Sequence, residues 1–89
     1  MDTDWLKQKL TVAQAESKHM VSDPRLGPTP VPFGFCHAKW QNLLSKMQDG
    51  DELWEFSSSD HSWQHLAGRA GLALVRNGQI IHSIVTAMN

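Results

Sequence analysis

The apolar and polar positions divide the chain into segments of different period. From Asp2 to Met20, Leu6, Leu10 and Ala13 recur at i, i+4 and i+7 with Trp5 and Val12 alongside, which predicts an amphipathic helix. Thr3 or Asp4 suits its cap, and Asp2 and Asp4 suit the positive end of its dipole. The apolar stripe is thin, with Lys7, Lys9, Gln14 and Lys18 around it, so the helix is expected to dock weakly or against a partner chain. Over residues 21–34 the pattern stops. All four prolines lie here, with Gly27 and Gly34, and Pro28, Pro30 and Pro32 alternate with Thr29 and Val31. That alternation predicts an extended course. The segment is either a linker or a strap packed by Val31, Phe33 and Phe35.

A helical period returns at Cys36. Cys36, Trp40, Leu43, Leu44 and Met47 form the strongest amphipathic stripe of the chain, and Gly50 is placed to stop the helix. Asp51–Ser57 then alternates, with Glu52, Trp54 and Phe56 on one face and Leu53 and Glu55 on the other, as in a strand. His61–Ala67 suits two helical turns, capped by Ser59 or Asp60 and stopped by Gly68. Asn77-Gly78 between apolar runs predicts a type I′ hairpin. A regular hairpin sets Val75 opposite Ile80, Leu74 opposite Ile81 and Ala73 opposite His82, and puts Leu72, Leu74, Ile81 and Val85 on one face. Both faces are largely apolar, so the strand from Gly71 is expected to be central.

The expected fold class is α+β within one domain, 1–89. An N-terminal helix (1–20) and a Pro/Gly-rich loop (21–34) precede a core (35–89). There a helix packs on a three-stranded antiparallel sheet, with a short helix between its first two strands.

Composition narrows the function classes. With 89 residues and a net charge of -1, the chain is neither a strongly basic nucleic-acid binder nor an acidic mimic. One cysteine excludes an internal disulfide framework and a multi-cysteine zinc site. No apolar run approaches the ~18 residues of a membrane span, and the N-terminus has no signal-peptide core. These features point to a small soluble cytoplasmic protein with no cofactor and no nucleic-acid or membrane partner.

Three groups of residues can carry chemistry. Cys36 stands at a helix start, a placement that suits a nucleophilic sulfur, with His37 next to it and His82 on a strand. The bland reading buries Cys36 in the stripe it shares with Trp40 and Leu43. His61 and His65 are four apart on the short helix and can share a metal ion if a third ligand such as His37, His82 or Cys36 is near; otherwise they form an exposed polar face. Arg69, within Gly68-Arg69-Ala70-Gly71, offers a cation beside backbone N–H groups, a candidate anion pocket. The alternative pairs Arg69 and Arg76 with Glu52 or Glu55 across the sheet.

Two resemblances rest on these residues. Cys36, then the Gly50-Asp51-Glu52-Leu53-Trp54-Glu55-Phe56 strand, then Ala70-Gly71-Leu72-Ala73 through Ile80-Ile81-His82, resembles the layout of papain-like cell-wall peptidases and amidases over about half the chain. That likeness implies a thiol nucleophile at Cys36. However, Arg69 stands where the family places its catalytic histidine, and a guanidinium cannot serve as a general base. His82 matches only the third, orienting position. The same Gly50–Phe56 stretch, with Gly68-Arg69-Ala70-Gly71 and the Val85–Asn89 ending, looks like a family of small bacterial proteins without assigned function. This second likeness implies a complete chain ending at Asn89 and no activity. The resulting expectation is a non-catalytic interaction domain that meets a protein partner, or a second copy, through the N-terminal helix or the C-terminal edge strand. The alternative is a thiol hydrolase, or its inactive relative, using Cys36 and His82.

Overall fold

The computed structural model describes residues 3–89. Six strands and three α-helices follow in the order β1 (Leu6–Leu10), α1 (Val12–Lys18), β2 (Met20–Val21), β3 (Val31–Pro32), α2 (His37–Ser45), β4 (Glu52–Ser57), α3 (Asp60–Gln64), β5 (Arg69–Arg76) and β6 (Gln79–Met88). Single 3-10 turns stand at Thr3–Trp5, Pro24–Leu26 and Gly34–Cys36. The main sheet is four-stranded and antiparallel, in the order β1-β4-β5-β6, and β2 and β3 form a separate two-stranded ribbon.

The expected architecture therefore needs correcting at its N-terminal end. No single helix spans the described part of 1–20 (Met1 and Asp2 lie outside the described residues): a strand, β1, precedes the short helix α1, and the sheet has four strands rather than three. Leu6 and Leu10 lie four apart, a spacing that fits one helical turn and also two strand repeats. Pairing decides: Leu6 lies opposite Phe56 and Leu10 opposite Leu53, with a bulge between Leu6 and Gln8. The helix begins only at Val12, behind a reciprocal cap. Thr11 Oγ1 accepts from the Gln14 N–H at 3.1 Å, and the Thr11 N–H donates to Gln14 Oε1 at 2.9 Å.

The Pro-rich segment is a strap rather than a linker. β2 and β3 pair Met20 with Pro32 and Val21 with Val31, and the Phe33 N–H donates to the His19 carbonyl at 2.8 Å. Phe33 is the buried anchor, stacked between the rings of His19 and Trp40 at centroid distances of 4.7 and 4.4 Å. Phe35 faces out, 65% exposed, with the Arg25 guanidinium 5.0 Å above its ring.

α1 and α2 pack on one face of the sheet. The core there joins Ala15, Phe33, Trp40 and Leu43 to Leu10, Leu53, Leu72, Leu74 and Ile84. The buried indole N–H of Trp40 donates to Glu16 at 2.9 Å, which ties α2 to α1. Phe56, Ala73 and Val75 are buried on the other face, where Trp5 stacks on Phe56. The molecule measures 38 × 37 × 17 Å, a thickness that accommodates the sheet and one helical layer.

The hairpin turn is as expected, with Asn77 at φ 53 and Gly78 at φ 77. Its register is not. Val75 pairs with Ile80, but Leu74 pairs with His82 and Ala73 with Ser83, because the strands slip by one residue between Leu74 and Val75. Ile81 is the extra residue and lies 41% exposed. His82 takes the position on the helical face that a regular ladder would give Ile81. A second slip leaves Thr86 unpaired between Val85 and Ala87.

Candidate functional site

β6 is one of two sheet edges, and the two differ in chemistry. β1 has five residues, and exposed Lys7 and Lys9 interrupt it. Charged residues and bulges of this kind blunt an edge against further pairing. β6 has ten residues, and His82 is its only ionisable one. Among the described residues, no strand pairs with its outer side. Between the two slips, His82–Val85 runs as regular strand.

An open cavity of about 390 Å³ lies at the far end of this edge. Its walls are Thr86 and Ala87 of β6, Met20 and Val21 of the ribbon, Lys18, His19, Phe33 and Cys36. Cys36 sits here because the turn Phe33–Cys36 folds back under α2, with the Cys36 N–H donating to the Phe33 carbonyl at 2.8 Å. The sulfur is half-buried and packs at the margin of the core.

This placement separates Cys36 from His82. Cys36 lines the cavity with Thr86 and Ala87, and His82 is four residues before Thr86 on the same strand, about 13 Å at the usual strand rise. The Nε2 of His82 is buried and has no hydrogen-bond partner. His37 points elsewhere, its Nδ1 lying 2.9 Å from the Pro32 carbonyl. The histidine that shares the cavity with Cys36 is His19. Its Nε2 is 3.6 Å from Glu55, whose carboxylate also holds Lys18 Nζ at 2.8 Å. Sequence reasoning missed this group. His19 and Cys36 come to one cavity because the strap returns Phe33 to His19, and no local pattern signals that.

The Gly68-Arg69 corner is occupied by the chain itself. The Gly68 N–H donates to Asn89 Oδ1 at 2.8 Å and the Arg69 N–H to Ser58 Oγ at 2.9 Å. Those two donors are therefore engaged, and Gly71 is buried within β5. The Arg69 guanidinium is exposed and lies 3.3 Å from the Met88 sulfur. The acidic partners also differ from expectation. Arg76 makes a two-pronged pair with Asp51, at 2.7 and 2.8 Å, while Glu52 takes Lys9 at 3.0 Å and Glu55 takes Lys18. The Arg76 guanidinium, helped by the Gln48 N–H, holds the Asp51 carboxyl down at about 2. Glu52 is also lowered, by the Trp54 indole N–H first and Lys9 second.

α3 brings together His61 and His65, the residue at its C-terminal cap, with ring centroids 4.3 Å apart. Among the described residues, no group of three or more His, Cys, Asp or Glu side chains is placed to hold a metal ion. No helix there is long and apolar enough to cross a membrane.

Comparison with family models, with curated proteins and with solved structures gave no match.

Proposed function

We propose that this chain is a cytoplasmic, non-catalytic interaction domain that accepts an extended segment of a partner protein along the outer edge of β6. The observation that carries this reading is the contrast between the two sheet edges. One is short and guarded by Lys7 and Lys9; the other is ten residues long, with His82 its only ionisable side chain. An open strand of that kind supplies backbone donors and acceptors to an incoming strand, and nearby pockets then read its side chains. His82–Val85 offers the regular stretch for pairing, and the cavity at Thr86 and Ala87 offers the pocket. The N-terminal segment has no part in this reading, because it is a sheet strand and not a free helix.

Selecting displayed linear peptides on the folded protein, and mapping the best binder by amide chemical shifts, tests the reading. Shifts along His82–Val85 and around the cavity are expected, together with loss of binding when the peptide backbone is N-methylated. A binder that maps to β1, or one that tolerates N-methylation throughout, would sink strand addition at β6.

A thiol hydrolase using Cys36 and His82 has less support, since His82 lies about 13 Å along β6 from Thr86, which shares the cavity of Cys36. Rapid alkylation of Cys36 by iodoacetamide at neutral pH, slowed by His19→Gln, would favour thiol chemistry over this interaction role.

A further inference from the structure

We propose that His61 and His65 form a two-imidazole site for a divalent transition-metal ion, with Cu²⁺ the tightest binder. The pair lies outside the β6 edge and does not depend on the role assigned to it.

The argument begins with how α3 is held. A five-residue helix has little stability of its own. This one is fastened at both ends. Ser59 Oγ caps it through the Ser62 N–H at 3.3 Å, and Ser62 Oγ donates to Ser58 Oγ at 2.7 Å. The Trp63 indole N–H donates to Ser57 Oγ at 3.1 Å, and Asn89 Nδ2 donates to the Trp63 carbonyl at 2.7 Å. Trp63 also lies directly over Gly68, where a Cβ would stand 2.1 Å from its ring. The inward side of α3 is thus fixed, and His61 and His65 are left on the exposed side. The His65 N–H donates to the His61 carbonyl at 3.2 Å, so the two residues sit one helical turn apart.

Their rings are already close to chelating distance, with centroids at 4.3 Å and planes tilted by 47°. An imidazole nitrogen bonds such an ion at about 2.0–2.1 Å, which puts the ring centre about 3.2 Å from the metal. Two rings at bond angles of about 90–110° then have centroids roughly 4.5–5.2 Å apart. A few tenths of an ångström separate the observed pair from that range, a shift that small rotations about Cα–Cβ supply, while rotation about Cβ–Cγ turns the ring nitrogens toward a shared ion.

Among the described residues no third His, Cys, Asp or Glu side chain joins the pair, so the site is not a structural zinc site, which needs four protein ligands. Water completes the coordination, and a tetragonal N,O environment favours Cu²⁺, which also stands highest in the divalent series.

The experiment titrates the full folded chain at neutral pH with Cu²⁺ and separately with Zn²⁺, following amide signals and binding heat. Paramagnetic broadening by Cu²⁺ should centre on residues 60–66. His61→Gln and His65→Gln should each weaken Cu²⁺ binding at least ten-fold, with unchanged melting curves because both side chains are exposed. Cys36→Ser and His37→Gln should bind like the parent. Broadening centred on His19, His37 or Cys36 would overturn the proposal. So would undiminished affinity in the His61→Gln/His65→Gln double variant.

Discussion

At the scale of single residues, Asp51 is the clearest case of local chemistry setting a global property. It ends the turn after α2, where its carboxylate accepts from the Gln48 N–H at 2.9 Å and takes the Arg76 guanidinium from β5. Its folded value of about 2 lies below the ordinary 3.8. A carboxylate depressed on folding stabilises the folded state above its unfolded value, and that contribution disappears as pH falls toward the folded value. The acid limb of the stability curve should therefore steepen between about pH 4 and pH 2. Asp51→Asn should flatten that limb in urea melts taken across the window. An unchanged limb would show that Arg76 does not hold Asp51 in solution.

Two glycines separate conformational strain from steric exclusion. Gly78 has φ 77 with open space around it, so Gly78→Val meets only backbone strain, about 1–3 kcal/mol. Gly71 has no unusual φ, but a Cβ there would stand 1.9 Å from the Ile84 carbonyl oxygen on β6. Backbone cannot rotate away as a side chain does, so Gly71→Ala should destabilise more than Gly78→Val. Denaturant midpoints of the two variants decide the order. The reverse order would mean that β5 and β6 approach less closely at Gly71 than described.

At the scale of elements, Thr11 marks the boundary that periodicity obscured. Thr11→Ala removes the side-chain half of the reciprocal cap, the Oγ1 that accepts from the Gln14 N–H, and should cost about 0.5–2 kcal/mol, the usual range for an N-cap. Thermal melts of Thr11→Ala and Thr11→Ser check this, with the serine variant retaining most of the stability. The Thr11-Val12-Ala13-Gln14 run carries the capping signature in the sequence, and weighing it against the Leu6–Leu10 spacing would have moved the helix start. Other features were legible because local chemistry determines them. The Asn77-Gly78 turn, the Ser59 cap of α3 and the Trp40/Leu43 stripe of α2 each follow from neighbours in the chain. The pairing of β1 with β4, the ribbon of β2 and β3, and the one-residue slips in β6 were not legible. They depend on partners far along the chain, and a single bulge exchanges Ile81 for His82 on the inner face. The candidate site followed the same division. His61 and His65 meet through one helical turn, whereas Cys36 shares its cavity with His19 rather than His82 through long-range packing.

At the scale of the whole molecule, stability should decline from β5 outward. β5 is an interior strand, and Leu72, Ala73 and Leu74 on it are fully buried, Leu74 at 0% exposure. Leu74→Ala leaves a cavity between the sheet and α2 and should cost about 2–5 kcal/mol. β1 joins the sheet on one side only, through five residues of which just Leu10 is buried. The ribbon pairs only two residues with two. Segments with few buried apolar contacts open without global unfolding. Native-state hydrogen exchange should therefore show β5 amides opening only with the whole chain, and β1 and ribbon amides opening at lower free energy. Leu74→Ala should lower the protection of β5 by its full measured destabilisation and leave β1 protection much less changed. If β1 amides instead exchange as slowly as those of β5 and fall in step with them, the N-terminal strand is an integral part of the cooperative core. The account of β1 as a weakly held, charge-guarded edge would then be wrong.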